Sequence, residues 1–362
     1  MSEYQYYEFH AVDRMLSAEE MRELRSCSSR ARITRTSFVN HYDWGGFRGN
    51  EDRWMERSFD AFLYLANFGT RVLMLRLPAN LLDLAVTRDY CAGYSFTVRS
   101  KNDKVVLTFS SDSEPDEEWN DGSGILSSIL PVRMALAAGD RRALYLGWLL
   151  AVDAGTLKDK TLEPPVPPGL RQLSPCLEAF VEFLRLDRNL LEVAADASAS
   201  IASPPDRQDL AGQVARMPAA EKDARLLRLM TEDSLAVSTA LLRGFDKNRG
   251  TRRDRAATPK RRTVGELRRA ANDEALERNR IARQRAAAEK ARRQRETSRA
   301  REAYLASLAG KETRLWTKVG KLVATTQQGN YDAAVVMLID RNRPANLSIT
   351  HKYSPRHFQP VA

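Results

Sequence analysis

Arginines recur every seven residues along one charged segment of this 362-residue chain, and their spacing is the feature that points most directly to chemistry. Seven residues make about two turns of an α-helix, so side chains repeated at this interval lie on one narrow face. Guanidinium groups along one side of a rod can contact successive phosphates of a duplex without reading its sequence. The repeat comprises Arg278, Arg285, Arg292 and Arg299, and Arg295 lies one turn from the last two. The candidate nucleic-acid-binding residues are these five arginines.

The segment that carries these arginines, residues 263–310, is predicted to form one long helix. It contains no proline and is rich in alanine, arginine and glutamate, which are strong helix formers. The pair Glu289 and Arg293 has the i,i+4 spacing that stabilises an isolated helix. An apolar stripe along the segment breaks at Glu289 and Glu296, so a stable two-stranded coiled coil is not expected. A solvated spacer helix has the same composition, and that interpretation stays open beside contact with nucleic acid.

The positive charge of the chain is concentrated around this segment. Residues 241–301 contain 21 Arg or Lys and 8 Asp or Glu, a local net charge of +13 in a chain whose total is +10. The remaining residues therefore carry a net charge of −3. This asymmetry predicts an anionic partner, namely nucleic acid, an acidic protein face or a membrane surface. A membrane surface is the weakest of the three, because the segment lacks the large apolar side chains that insert into lipid.

Other chemistries find little support in the residue types. The three cysteines and four histidines do not have the spacing of a zinc site, and no metal or cofactor is expected. No G-x-S-x-G sequence occurs and a histidine-based active site is not expected, while a carboxylate-based active site in the N-terminal region stays open. The chain starts without the pattern of a signal peptide, and no apolar run reaches about 18 residues. These features predict a cytoplasmic protein without a membrane span.

The first part of the chain, residues 1–111, is predicted to be an α+β domain in which a mixed sheet carries helices on one face. Ser17 and Glu20 have the spacing of a capping box and indicate where the first helix begins. Strands are expected at residues 4–12, 32–40, 72–77, 94–99 and 105–110, and helices at residues 17–27, 52–67 and 82–90. Gly69 is expected to end the helix at residues 52–67. The last two strands are expected to form a hairpin through the turn Lys101-Asn102-Asp103.

No strand pattern follows the acidic linker at residues 112–121, and residues 123–246 are predicted to form an all-α domain. Glycines and prolines divide this region into helices at residues 125–138, 140–154, 174–196, 207–217 and 219–245. Four further segments complete the predicted organisation: a basic linker, the long helix, a helical hairpin and a disordered tail, at residues 247–262, 263–310, 313–340 and 341–362.

The hairpin at residues 313–340 has an apolar face on each of its two predicted helices, and these faces can cover each other. Apolar side chains on a short hairpin of this kind also suit contact with another protein. The candidate partner-binding residues are Leu315, Trp316, Val319, Tyr331, Val335 and Leu338.

A glycine-rich loop at residues 41–50 places His41, Trp44 and Phe47 close to Arg48. Exposed aromatic side chains beside an arginine can stack on a nucleic-acid base. The favoured interpretation is that the aromatic side chains fold back onto the core.

Two stretches resemble an uncharacterised family of bacterial proteins of unknown function. They are the N-terminal sequence YQYYEF with the later LYLAN, and the phrase AGDRRALYLGWL at residues 138–149. The C-terminal pattern Trp316-x-x-Val319…Tyr331-Asp332-x-Ala334-Val335 is similar to the tails of bacterial SWIM zinc-finger proteins. The zinc ligands of those proteins, C-x-C and C-x-H, are absent here. The resemblance therefore implies a related partner-binding tail rather than a zinc finger, and makes a SWIM zinc-finger protein a candidate partner.

The sequence favours a non-catalytic interaction or scaffold protein that projects a helical hairpin on a basic helix to engage a partner protein. Sequence-independent binding of nucleic acid through the arginine face of the long helix is the alternative. An enzyme that uses carboxylates of the N-terminal region is the third hypothesis.

Overall fold

Seven strands form one sheet in the computed structural model, which describes residues 3–114, 120–200, 207–231, 261–308 and 312–342. Their bounds are Gln5–His10 (β1), Arg32–Ile33 (β2), Ser37–Tyr42 (β3), Ala61–Ala66 (β4), Thr70–Pro78 (β5), Phe96–Lys101 (β6) and Lys104–Asp112 (β7). The strand order is β2-β3-β1-β4-β5-β7-β6. One sheet combined with many helices confirms the predicted α+β class. Every pairing within the sheet is antiparallel, so the expected mixed sheet is wrong.

The described helices account for the remaining regular structure, together with one 3₁₀ turn at Ala79–Leu81. The long basic helix and the C-terminal hairpin are present as predicted. The helices are Ala18–Cys27 (α1), Glu51–Arg57 (α2), Leu84–Tyr90 (α3), Ile125–Ile129 (α4), Pro131–Ala137 (α5), Arg142–Asp153 (α6), Pro175–Leu184 (α7), Arg188–Asp196 (α8), Arg207–Arg216 (α9), Ala219–Thr231 (α10), Val264–Leu308 (α11), Glu312–Ala324 (α12) and Gln328–Asn342 (α13).

Local sequence signals place several element ends correctly. Ser17 and Glu20 form the predicted capping box at the start of α1, with the Glu20 amide donating to Ser17 Oγ at 3.1 Å. The predicted hairpin of β6 and β7 turns through Asn102 and Asp103, whose φ angles are 50° and 56°. Positive φ at both central residues is typical of the two-residue turns that match the twist of a hairpin.

The predicted helix at residues 52–67 is wrong in its second half, which forms the central strand β4. Its apolar run is buried on both faces of the sheet, with Leu63 in one core and Phe62 in the other. A continuous apolar run fits a buried helix and a buried strand equally well, and here pairing with β1 and β5 decides. Gly69, expected to end that helix, instead turns the chain between β4 and β5 with φ of 107°.

Other predicted elements are interrupted. The expected strand at residues 32–40 is split into β2 and β3 by a turn in which the Thr34 amide donates to Ser37 O at 2.9 Å. The expected helix at residues 174–196 breaks at Arg185, which adopts a left-handed φ of 54°. Three parts of these predictions lie outside the described residues: residues 247–260 of the linker at 247–262, residues 232–245 of the helix at 219–245, and residues 343–362 of the tail at 341–362.

The sheet carries helices on both faces, where one covered face is expected from the sequence. One core joins β4, β5 and β7 to helices α3–α8 and to the first turns of α11. An aromatic core on the opposite face packs α1 and α2 against β1 and β4. Residues from the predicted 1–111 and 123–246 domains therefore share one core. Contacts divide the chain into two units, Met1–Leu276 and Glu277–Ala362, with the boundary inside α11.

A buried ion pair connects strand β5 to the residue before β4, and that residue also binds the segment that follows β1. Arg76 of β5 donates through Nη2 to Asp60 Oδ1 at 2.6 Å, and both side chains are almost fully buried. Asp60 Oδ2 accepts from the amides of Val12 and Asp13 at 2.7 and 2.9 Å. Burial raises the pKa of Asp60, but Arg76 and the two amide donors outweigh it, so the pKa lies below its ordinary value. The stabilisation is complete above that ordinary value and is lost as the pH falls towards the lowered one.

Replacing Asp60 with asparagine is expected to lower the free energy of unfolding by about 3–5 kcal/mol, because the buried guanidinium of Arg76 loses its counter-charge. Urea unfolding followed by circular dichroism measures the change. Asp52→Asn is the matched control, since Asp52 pairs with Arg99 and both are about half exposed, and its effect should stay below about 1 kcal/mol. Equal losses in the two variants would contradict a special role for the buried pair.

Candidate interaction surfaces on the long helix and the hairpin

The long helix α11 begins inside the core of the first unit. Thr263 and Glu266 form a capping box, with the Thr263 amide donating to Glu266 Oε2 at 2.7 Å and the Glu266 amide donating to Thr263 Oγ1 at 3.3 Å. Val264 and Leu267 are fully buried, and Ala271 is buried one turn further on. The first two turns therefore have a packing role that the rest of the helix does not share.

The carboxylate of Glu163 fixes the chain immediately before this helix. It accepts two hydrogen bonds from the guanidinium of Arg262, each of 2.8 Å, and a third from the hydroxyl of Tyr145. The Glu163 amide also donates to Arg262 O at 2.9 Å. Burial, reinforced by the charge of Glu163, raises the pKa of Tyr145 well above its ordinary value, so its hydroxyl stays protonated and donates.

This anchor was not predicted from the sequence, which assigns Arg261 and Arg262 to a basic linker. Arg261 donates through Nε to Glu163 O at 2.8 Å, so both arginines serve the folded unit. The available signal was the spacing of Thr263 and Glu266, which marks a helix start. Nothing in the local sequence marks Glu163 as the partner, because it lies about a hundred residues earlier.

A groove of about 330 Å³ lies beside the anchor. Its charged residues are already engaged, since Arg262 is bound to Glu163 and Glu266 caps the helix. The groove is lined by Val193, Arg261, Arg262, Glu266, Leu267 and Ala270. We therefore assign the groove to the packing around the start of α11.

From Glu277 to Tyr304 the helix is solvated, and all five candidate arginines are exposed. Arg292 Nε lies 3.5 Å from Glu296 Oε1, and Arg278 also has an electrostatic or hydrogen-bonding partner. In the described part of the chain, no carboxylate lies within ion-pair distance of the other three, Arg285, Arg295 and Arg299.

The arginines outside the candidate face behave differently. Arg280 pairs with Glu277 at 2.6 Å, and Arg293 pairs with Glu289 at 2.5 Å as the i,i+4 spacing predicts. The acidic residues of the helix therefore neutralise part of the helix surface and leave three of the five candidate arginines accessible.

The hairpin consists of α12 and α13, joined by a short turn in which Asn330 Nδ2 donates to Thr325 Oγ1 at 2.7 Å. Val319 is 8% exposed and Ala334 is 2% exposed, and these two residues lie between the helices. Val319 was predicted to bind a partner, but in this structure it holds the hairpin together and is not accessible.

The other candidate partner-binding residues differ in accessibility. Trp316, Tyr331 and Val335 are exposed, and Leu338 is half-buried. The side chain of Leu315 lies outside the described residues. Three exposed apolar residues of the hairpin were not among the candidates: Val323, Val336 and Ile339.

Helical periodicity places most of these side chains on one face of the hairpin. At 100° per residue, Trp316, Gly320 and Val323 lie roughly 40–100° to one side of the buried Val319. Tyr331, Val335 and Ile339 lie roughly 60–140° from Ala334 in the same rotational sense. In an antiparallel helix pair, equal rotation from the shared interface leads to the same face. This apolar face comprises Trp316, Gly320, Val323, Tyr331, Val335 and Ile339.

The aromatic loop at residues 41–50 contributes mainly to the core. Phe47 stacks on Tyr7 with ring centroids 5.1 Å apart and meets Trp54 edge-on at 4.8 Å. His41 stacks on Tyr4. Trp44 is the exception and is 78% exposed.

Buried carboxylates of the N-terminal region are occupied by structural partners. Glu8 accepts from the hydroxyl of Tyr6 at 3.0 Å and lies 3.0 Å from His10 Nε2. Glu20 binds Arg14 and caps α1, and Asp60 binds Arg76. These contacts account for the buried charge through folding.

Among the described residues, no group of three His, Cys, Asp or Glu side chains is arranged to hold a metal ion. No helix within the described ranges combines the length and apolar character needed to cross a bilayer. Comparisons with known protein families, with curated proteins and with solved structures find no match.

Replacing Glu163 with alanine is expected to loosen the start of α11, because the guanidinium of Arg262 and the buried hydroxyl of Tyr145 lose their shared acceptor. The free energy of unfolding should fall by about 3 kcal/mol or more. Amide hydrogen exchange at residues 264–271 should accelerate as well. The control is Asp159→Ala, which removes an exposed partner of Arg268 and should cost less than about 1 kcal/mol. Unchanged exchange at residues 264–271 in Glu163→Ala would contradict the anchoring role.

Proposed function

We propose that this protein is a non-catalytic interaction protein whose C-terminal helical hairpin engages a protein partner. The observation that supports it is the apolar face of the hairpin. Three bulky members of this face, Trp316, Val335 and Ile339, are each about half exposed. The interior of the hairpin is small, because Val319 and Ala334 are the buried residues among its described side chains.

The composition of this face suits a protein interface. It carries no charged residue, and aromatic side chains such as Trp316 and Tyr331 are enriched among residues that dominate binding energy. A contiguous apolar surface on a small element is a feature of interaction sites rather than of ordinary solvent-facing helices.

A photo-crosslinking amino acid placed at position 335 in the full-length chain should capture the partner in the producing cells. The same residue at position 336 is the matched control, because Val335 and Val336 are 50% and 53% exposed but point about 100° apart around α13, with Val336 outside the apolar face. Covalent adducts at position 335 and few at position 336 are expected on denaturing gels. No adduct at position 335 would overturn the proposed function.

Sequence-independent binding of nucleic acid is the second candidate function. Its support is the set of three accessible cations, Arg285, Arg295 and Arg299, on one side of a solvated helix. Arg285 and Arg299 are separated by fourteen residues, which corresponds to about 21 Å along the helix axis. Guanidinium groups spread over this length can reach phosphates at several positions along a duplex.

The double variant Arg285→Gln with Arg299→Gln should weaken binding to a fluorescent DNA duplex in the full-length protein. Each lost phosphate contact lowers the steepness of log K against log salt by about 0.9, so two lost contacts predict a change of about 2. Arg280→Gln with Arg293→Gln removes the same charge from arginines already paired with glutamates and should change the slope less. Fluorescence anisotropy at several salt concentrations measures both. A slope near zero in the unmodified protein would exclude this function.

A further inference from the structure

We propose that the partner of the hairpin is a second copy of this chain, with the two apolar faces packed together into a four-helix bundle. This inference rests on the proposed function of the hairpin and names the partner that function requires. Three properties of the hairpin support it: its small interior, the glycine on its apolar face, and the self-complementary shape of that face.

The interior of the hairpin is too small for independent stability. Its helices contain 13 and 15 residues, and Val319 and Ala334 are the residues buried below a tenth of their surface among its described side chains. Folded segments below about 40 residues generally need a disulfide, a metal ion or oligomerisation. The three cysteines lie in the other contact unit, at positions 27, 91 and 176, and no metal-binding group occurs among the described residues. Association with another apolar surface would complete such a core.

Gly320 gives the second observation. It lies inside α12, where glycine weakens a helix relative to alanine. A Cβ atom built at Gly320 would meet no atom within 4 Å, so packing in the described chain does not require a glycine here. Gly320 lies on the apolar face, one turn from Trp316 and one from Val323. Close approach of a second helix to the backbone at this point would explain why a glycine occupies position 320.

The shape of the face suits a two-fold symmetric contact. In such a contact, residue i of one copy meets residue j of the other, and the reverse contact is identical. A two-fold axis between Trp316 and Gly320 places the large indole of each copy over the glycine of the other. The six residues of the face are uncharged, and the exposed Asp332 lies at its edge, about 20° around α13 from Ile339.

The area of the face is also sufficient. Its exposed side chains present on the order of 500 Å² per copy, so two faces would bury about 1,000 Å², the lower limit for a specific protein interface. Four helices around one apolar centre then form a bundle with ordinary packing.

Sedimentation velocity of the purified full-length protein over a range of concentrations tests the proposal. High salt and nuclease treatment keep nucleic acid from bridging copies through the arginine face. The unmodified chain should sediment as a concentration-dependent dimer. Val335→Lys should raise the dimer dissociation constant at least a hundredfold, whereas Val336→Lys, which points about 100° further around α13 and lies outside the apolar face, should change it less than threefold. A monomeric unmodified chain, or equal effects of the two lysines, would overturn the proposal.

Gly320→Ala gives a second test that does not depend on an added charge. Alanine strengthens an isolated helix, so far-UV circular dichroism of the variant should show no loss of helix. Its methyl group holds the two backbones apart, and the dimer dissociation constant should rise at least tenfold. An unchanged or smaller dissociation constant would overturn the close approach at Gly320. A monomer whose residue 335 crosslinks to a different protein overturns self-association alone, whereas absence of any crosslink at position 335 overturns the proposed function itself.

Discussion

The hydrogen bonds between the carboxylate of Glu163 and the guanidinium of Arg262 hold the residue that precedes the N-cap of α11, and so determine where this helix begins. A carboxylate buried this deeply is unstable unless its charge and its acceptor atoms are matched, and Arg262 and Tyr145 match both. Once Arg262 is held, Thr263 can cap the helix and Val264 and Leu267 enter the core of the first unit. The long helix is therefore nucleated by the folded unit and does not depend on helix propensity alone, which is marginal for isolated segments in water.

The same principle organises the sheet. Asp60 precedes the central strand β4, and its contacts with Arg76 and with the amides of Val12 and Asp13 join segments that are far apart in the chain. Such pairs contribute little net stability, but any other arrangement of the chain that separates them leaves a buried charge unmatched. They therefore act mainly by selecting one arrangement of these segments. The apolar cores on the two faces of the sheet then supply most of the stabilisation.

The second contact unit differs in kind from the first. Its part of the long helix is exposed on all sides from Glu277 to Tyr304, and its hairpin encloses little apolar surface among the described side chains. Both of its surface features, the arginine face and the apolar face of the hairpin, have the chemistry of contacts with other molecules. The proposals for them are independent, since phosphate binding depends on unpaired guanidinium groups and hairpin association depends on apolar area.

The sequence by itself determined the features that depend on neighbouring residues. The capping box of Ser17 and Glu20, the hairpin turn at Asn102 and Asp103 and the long helix α11 all follow from interactions within a few positions. Only the tertiary structure decided that residues 61–66 form a strand, because a buried apolar run fits either period until its pairing partners are known. It alone decided that Val319 is enclosed while Val335 is exposed, and that Glu163 anchors the helix. Those outcomes depend on which distant segments meet, and that information lies in no local pattern.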